Sequence, residues 1–316
     1  VPKRALVVLT LVSASACVSK RFEAPRLLPT TAASSRDGLI EHVNRRREVR
    51  SLTAAAELSF EALDKVEQGE ARRFRKTDAR LLLARPARVR LEIQLPLLKT
   101  SLAAMASDGT RFQLLVHPVD YRAFIEGSAS GNYSDQARKL ARDPLLRKAG
   151  PLVNVRPQHI AEAFLFEPIS LGDDRMAVSY EARETEVATG PGAKRGERVV
   201  RSYYVLDVIE GSELRFRYWF DRTTPRLELR RKQVYGPEGQ LATEVRFEQY
   251  EPNRPERESF PTFVRLERPK EAYAISLTLK PESITLNRDL PETAFVVTVP
   301  AEWEGSIRRI NLDAPH

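Results

Sequence analysis

The chain has 316 residues, with 51 Lys and Arg against 43 Asp and Glu, giving a formal net charge of +8. Hydrophobic residues make up 42%, charged residues 30%, and there is one cysteine. That is enough apolar material for one large domain or two modest ones, and it excludes a disordered tail, a collagen and a disulfide-stapled scaffold. No apolar run reaches the ~20 residues of a spanning helix, so a polytopic helical membrane protein is not expected. The excess of base is spread along the chain and argues only weakly for an anionic partner.

Residues 1–17 read VPKRALVVLTLVSASAC, with a positive start at Lys3 and Arg4, an apolar run from Ala5 to Val12, and small residues directly before the sole cysteine. This is the layout of an export signal. It resembles a bacterial lipoprotein signal, cut before Cys17, which is then acylated. On the residues alone, an ordinary secretory signal with an incidental thiol stays open. Two or three acyl chains anchor stably where one does not. No Asp follows Cys17, and the resemblance then implies the periplasmic face of an outer membrane, with the chains in its inner leaflet. Processing removes two cations and lowers the net charge to +6. Residues 17–35 carry Pro25, Pro29 and a Thr/Ala/Ser tract without periodicity, and are expected to be an acylated tether reaching on the order of 60 Å. The expected division is a signal at 1–16, the tether at 17–35 and one folded domain at 36–316.

The body opens with an expected helix at 37–49, where Leu39, Ile40 and Val43 recur at helical spacing ahead of Arg45-Arg46-Arg47. The triple Arg is read as a solvated helix end. Alternation follows in Leu52, Ala54, Ala56, Leu58 and Phe60. It is clearest at 87–95, where Ala87, Val89, Leu91, Ile93 and Leu95 oppose Arg88, Arg90, Glu92 and Gln94. Residues 97–106 lead into Ser107-Asp108-Gly109, a hairpin signal, and on to Phe112, Leu114 and Val116. A further strand is expected at 119–126. Two helices then interrupt, one at 135–148 broken by Pro144, and one opening at Arg156-Pro157 with Ile160, Ala161, Phe164 and Leu165 as its apolar side. Strands resume at 176–182, 199–208, 214–221, 226–235, 241–250, 262–268 and 273–287, with 183–198 expected as a long mobile hairpin loop. No period of 20–50 residues repeats. About ten strands with short connections point to one curved meander or barrel.

The order of these segments carries a resemblance. RPARVRLEI is followed by a strand ending ASDG, FQLLV, an insert with VRPQHIAEAF, then YWFDR, QVYGPEGQLATEV, FPTFVRLERP, LTLKPESITLN and ETAFVVTVP. The chain is similar, from about 36 to 300, to the LolA/LolB-type superfamily of periplasmic lipoprotein-carrier proteins, most like its longer lipoprotein members. The resemblance implies a mainly β (α+β) fold: an incomplete antiparallel β-barrel of about ten strands, with helices forming a lid over an apolar concave face. Leu91, Ile93, Phe112, Leu114, Tyr218 and Phe220 are then the cavity candidates, and each is equally consistent with plain core. Leu39, Val43, Ile160 and Phe164 are the lid candidates. Leu145 and Leu146, after Pro144, match an exposed apolar loop of the receptor type, and burial against the sheet is the alternative.

Catalytic patterns are not found. His42, His117, His159 and His316 are scattered, with no zinc-ligand spacing. Gly127-Ser128-Ala129-Ser130-Gly131 places Ala129 where a nucleophile elbow needs a nucleophile, and reads as a loop. Asp173-Asp174 reads as a turn. RFRYWF at 215–220 interleaves Arg with aromatics and reads as an amphipathic strand, not as a nucleic-acid platform. No enzyme activity, metal or cofactor is expected. The expected function is binding of membrane lipid or acylated lipoprotein through acyl chains, for transfer or insertion. The competing one is a structural or stress-sensing role toward an envelope protein partner, suggested by Arg226, Glu228, Arg230 and Lys232 alternating along one strand.

Overall fold

Period-two alternation carries long stretches of the chain into strands, and they join edge to edge. The computed structural model describes residues 24–63, 72–73, 76–94, 100–118, 122–131, 133, 136, 155–188, 192–194, 196–250 and 260–314. The strands of the first half are β1 (Arg26–Leu27), β2 (Ser51–Ala62), β3 (Arg72–Arg73), β4 (Thr77–Ala84), β5 (Arg88–Gln94), β6 (Ser101–Ser107), β7 (Arg111–Val116) and β8 (Ala123–Ser128). Those of the second are β9 (Arg175–Val187), β10 (Arg198–Glu210), β11 (Glu213–Asp221), β12 (Glu228–Tyr235), β13 (Leu241–Tyr250), β14 (Pro261–Arg268), β15 (Tyr273–Leu279), β16 (Thr285–Leu286) and β17 (Arg308–Asn311). Among the described residues the helices that matter are α1 (Arg36–Arg45) and α2 (Pro157–Phe164).

Following the pairings gives one open sheet, ordered β9-β10-β11-β12-β13-β14-β15-β2-β4-β5-β6-β7-β8-β17. The sheet is mixed rather than wholly antiparallel, because β1 runs parallel to β10 and β17 parallel to β8. β3 and β16 complete the partners of β2. The described strands number 17, against about ten expected. Two-residue strands such as β1, β3 and β16 are too short to carry an alternation. β4 was hidden by its Leu81-Leu82-Leu83 run, which has no alternation to read.

Register lines up apolar residues from successive strands on one face. Across six strands, Tyr218, Lys232, Val245, Leu266, Ile275 and Phe60 stand opposite one another in sequence of pairing. Across the other half the row is Leu81, Leu91, Met105, Leu114 and Ile125. Both rows, apart from Lys232, belong to one buried cluster that also holds Leu39, Val43, Ile160 and Phe164 from the two helices. α2 packs against β5, β6 and β14. Four strand spacings of ~4.8 Å separate β14 from β5, about 19 Å on a flat sheet, whereas eight helical residues span ~12 Å. The sheet therefore bends around α2.

The opposite face is covered in two ways. Over β6–β8 the C-terminal segment lays Val297, Val299, Trp303 and Ile307 on Ala104, Ala106, Leu115 and Phe124, pinned by Val297 N–H on Gln113 Oε1 at 2.9 Å. Over β9–β13 there is an ion-pair lattice. Arg217 grips Asp207 at 2.6 and 2.7 Å, Arg231 grips Glu184 at 3.2 and 2.7 Å, and fully buried Asp221 takes Arg201 at 2.5 Å and Arg230 at 3.2 Å.

Several expectations change. α1 ends at Arg45 and continues as a 3-10 helix, Arg46–Glu48, and Arg46 is no bare solvated cation, since it donates to Tyr250 Oη at 3.4 Å and lies over Phe166. β9 and β10 run on to Val187 and back from Arg198, so both ends of the expected loop at 183–198 are paired strand. Both faces of that ribbon are polar, which removes the apolar alternation. Lys232 does not share a face with Arg230: a β-bulge opposite Trp219/Phe220 inserts one extra residue and turns Lys232 inward. Residues within the expected tether dock on the sheet, with Leu28 N–H on Val200 O at 3.0 Å and Thr31 N–H on Arg222 O at 2.7 Å. Asp108 caps its turn as expected, accepting from Thr110 N–H at 2.7 Å and Arg111 N–H at 2.8 Å, with Gly109 at φ 101. Cys17, the helix expected at 135–148 apart from Gln136, and Leu145 and Leu146 lie outside the described residues.

Leu81 is wholly buried in the centre of the apolar face, so Leu81→Ala is expected to cost ~2–5 kcal/mol, read as a lower urea midpoint. Asp221→Asn leaves two arginines without their shared carboxylate and is expected to cost about 3 kcal/mol. A midpoint unchanged by Asp221→Asn would show that the lattice is ornamental.

Candidate functional site

The segment 155–169 crosses the apolar face, and its local sequence explains how. Pro157 occupies the first helical turn after an extended Arg156, which suits its missing N–H. Ile160, Ala161 and Phe164 then fall on one side at helical spacing. Leu165 leaves the helix in extended geometry, which turns Phe166 and Ile169 toward the sheet as well. Phe164 stacks on Phe260 with ring centroids 6.3 Å apart. Phe166 meets Tyr218 at 6.2 Å and Phe247 at 5.9 Å. This segment is a strap over the face on which the cavity candidates stand.

Polar side chains tie the strap down by its backbone. Lys232 Nζ donates to Glu162 O at 2.7 Å, one of the carbonyls a short helix leaves without an internal partner. Arg85 Nη2 donates to Phe166 O at 2.8 Å and its Nε to Val49 O at 3.0 Å. Asn44 on α1 closes a two-way pair with Ile169, accepting from its N–H at 2.7 Å and donating to its carbonyl at 3.1 Å. At the other end His159 Nδ1 and Tyr273 Oη lie 2.7 Å apart, Arg156 donates to Gly131 O and Gln158 to Ala129 O.

Lys232 is the unusual member. It stands in the apolar row, 4% exposed, with its ammonium 4.6 Å from the centre of the Phe166 ring and 5.8 Å from that of Phe216. Burial pulls its pKa down to about 8, against the opposing pull of Glu162 and Glu167 and with Arg85 adding to the depression. Burial likewise holds His159 far below the usual imidazole value, reinforced by Arg268 and Arg156, so it is neutral at pH 7.

Of the residues expected to form the site, Leu91, Ile93, Phe112, Leu114, Tyr218 and Phe220 are all buried and share one cluster with Leu39, Val43, Ile160 and Phe164. Here they meet each other and the helices directly. Lys232, Arg85, Asn44 and Arg156 were not read from the sequence. Asn44 had a signal, since it is four residues after Ile40 and so on the apolar side of α1. Lys232 had none, because the bulge that turns it inward leaves no mark on the alternation. Among the described residues no group of three or more His, Cys, Asp and Glu is placed to hold a metal ion, and no helix is long and apolar enough to cross a membrane.

Lys232 gives the strap a pH signature. Its folded value lies near 8 and its unfolded value near 10.5, so between these the unfolded chain binds more protons. Stability should therefore rise from pH 8 to 10.5, by at most about 3 kcal/mol from this group. The penalty is fully present below 8. Lys232→Met is expected to be more stable at pH 7.5, with a smaller gain at pH 10, measured by urea midpoints of both proteins. Equal differences at both pH values would mean that Lys232 is charged in water rather than buried.

No protein-family model and no curated sequence matches the chain. Its fold is similar to that of a LolA superfamily protein from Nitrosomonas europaea, at 14% identity and a TM-score of 0.42 over 82% of this chain and 97% of the other. It is similar also to a DUF1329 family protein from Desulfovibrio piger, at 12% identity and 0.39 over 83% and 95%. The third is a proposed outer membrane lipoprotein-sorting protein domain from Vibrio parahaemolyticus, at 12% and 0.38 over 81% and 94%. The likeness is one of fold alone.

Proposed function

We propose that this chain is a binding protein, not an enzyme, that takes acyl chains of lipids or lipid-modified proteins against its apolar face by exchanging them for the strap at 155–169. The observation that carries this reading is the manner of the strap's attachment. A segment that is permanently core needs packing alone, whereas this one is fastened by long polar side chains to backbone carbonyls. One of them, Lys232, pays desolvation that an apolar residue of the same length would avoid. Such contacts are made and broken as a unit, and the face beneath them is apolar from β8 to β10. Burial of an acyl chain there is driven by ~25 cal/mol per Å² of apolar surface.

In this reading α1 and α2 form the lid over the concave side of an incomplete barrel, with Leu39, Val43, Ile160 and Phe164 as its inner surface. Leu91, Ile93, Phe112, Leu114, Tyr218 and Phe220 receive the chain. Cys17 is acylated after removal of 1–16 and holds the domain at 36–316 on the periplasmic face of an outer membrane, and Leu145 and Leu146 meet the membrane or cargo. A second reading, a protein partner in the envelope, draws on β9. It pairs only with β10 among the described residues and exposes Met176, Val178 and Tyr180 along one side.

Delipidated Cys17→Ser protein is expected to take up a fluorescent palmitate analogue saturably. Arg85→Gln, which loosens the hold on Phe166 O, is expected to speed uptake several-fold with little change in the unfolding midpoint. Lack of saturable uptake by both proteins overturns acyl binding and transfers the function to the partner reading.

A further inference from the structure

Beside the N-terminal end of α2 lies a cleft of about 490 Å³ at the rim of the apolar face. It is polar, and its charges are unevenly partnered. Arg268 is satisfied, gripping Glu271 at 2.6 and 3.2 Å and Thr243 Oγ1 at 2.5 Å. Arg156 is not: it is 8% exposed, lies over Tyr133 at 4.5 Å and Phe112 at 5.7 Å, and donates to Gly131 O, but no described carboxylate pairs with it. A guanidinium buried without an anion is costly, and a bound anion relieves that cost. The room for its ring contacts comes partly from Gly131, where a Cβ would stand 2.3 Å from Tyr133.

On the same cleft stand groups that favour a cation. Glu162 projects an exposed carboxylate that forms no hydrogen bond or ion pair within the described residues. Gln158, one turn earlier on the helix, donates to Ala129 O, and its buried Oε1 has no donor among the described residues. His159 between them is occupied with Tyr273. Arg156 and Glu162 are six residues apart, ~9 Å along the helix axis, about the span of a small bridging group with an ion pair at either end.

We infer that this cleft binds a zwitterionic headgroup, an alkyl phosphate carrying a primary ammonium, with the phosphate on Arg156 and the ammonium on Glu162 and Gln158 Oε1. The inference rests on the acyl-binding reading and specifies its ligand: behind the cleft lining, Phe112 lies under Arg156 and Tyr273 meets His159, and both belong to the apolar cluster, so a headgroup seated here starts its acyl chain beside the face under α2. Arg156 and Glu162 both belong to the strap, so the headgroup engages the element that the chain must displace.

The test is calorimetric titration of delipidated Cys17→Ser protein with four probes below their aggregation limits: palmitoyl lysophosphatidylethanolamine, palmitoyl lysophosphatidylglycerol, monopalmitoylglycerol and free phosphoethanolamine. The ethanolamine lipid is expected to bind at least fivefold tighter than the glycerol phospholipid. Glu162→Gln, at an exposed position, is expected to erase that preference by weakening only the former. Arg156→Gln is expected to weaken both phospholipids tenfold relative to monopalmitoylglycerol, whose own binding changes only as far as the strap is loosened. If Arg156→Gln fails to fold, Glu162→Gln decides alone. Equal binding of the three lipids, unmoved by Glu162→Gln, overturns the headgroup site and leaves acyl binding intact. Binding of none overturns both, and free phosphoethanolamine binding as tightly as its lipid assigns the cleft to a soluble phosphate and overturns the lipid source.

Discussion

An open sheet with one continuous apolar face must cover that face, and the rest of the molecule is organised around how it does so. A closed barrel would bury its interior with its own strands. Here β9 and β17 end the sheet without meeting, so the covering has to come from elsewhere in the chain. α1 rests on β9 and β10, and α2 with its trailing residues rests on β5, β6 and β14. Neither helix is long enough to be stable alone. Each is folded by the apolar side chains it shares with the sheet, and the sheet keeps its curvature by wrapping them.

The outer face meets the same requirement by chemistry suited to each half. Where strands carry Ala and Leu outward, at β6–β8, the C-terminal segment supplies Trp303, Val297 and Ile307 as a second small core. Where they carry Arg, Asp and Glu outward, at β9–β13, the residues pair across strands, and the guanidinium group of Arg231 also lies over Trp219. This is how a chain with 30% charged residues supports long strands exposed on one side. Glu228 and Arg230 of β12 belong to this lattice, while Lys232 stands on the other face.

Elements whose chemistry is local were legible in the sequence. β5 shows perfect alternation, Asp108-Gly109 demands a turn, Pro157 opens a helix, and Phe216, Tyr218 and Phe220 share a face because each is two positions from the next. Features that depend on distant partners were not. The bulge that turns Lys232 inward is set by its register against Trp219 and Phe220. β17 is a strand only because β8 offers a free edge. Arg85 reads as a turn residue before Pro86, yet it holds carbonyls of residues 49 and 166. The apolar members of the candidate site were therefore visible, while the polar members that fasten the strap were not.

The division of labour within the strap links its two ends. The C-terminal half, from Phe164 to Ile169, is apolar and is fixed by Arg85, Lys232 and Asn44 acting on backbone atoms. Any apolar occupant of the same volume replaces its packing, but none replaces those hydrogen bonds, whose loss leaves buried donors to be satisfied. The N-terminal half faces a cleft in which, among the described residues, Arg156 forms no ion pair and Gln158 Oε1 has no donor, and in the proposed reading it gains from a ligand that supplies both charges. Lys232 joins the two, since its ammonium holds the backbone of Glu162 while the Glu162 carboxylate faces the cleft. A ligand cation at that carboxylate would compete with Lys232 for the same negative charge, lowering the cost of releasing the strap. In the proposed reading, covering the apolar face and recognising what replaces the cover are tasks of one residue pair, Glu162 on the short helix and Lys232 on β12.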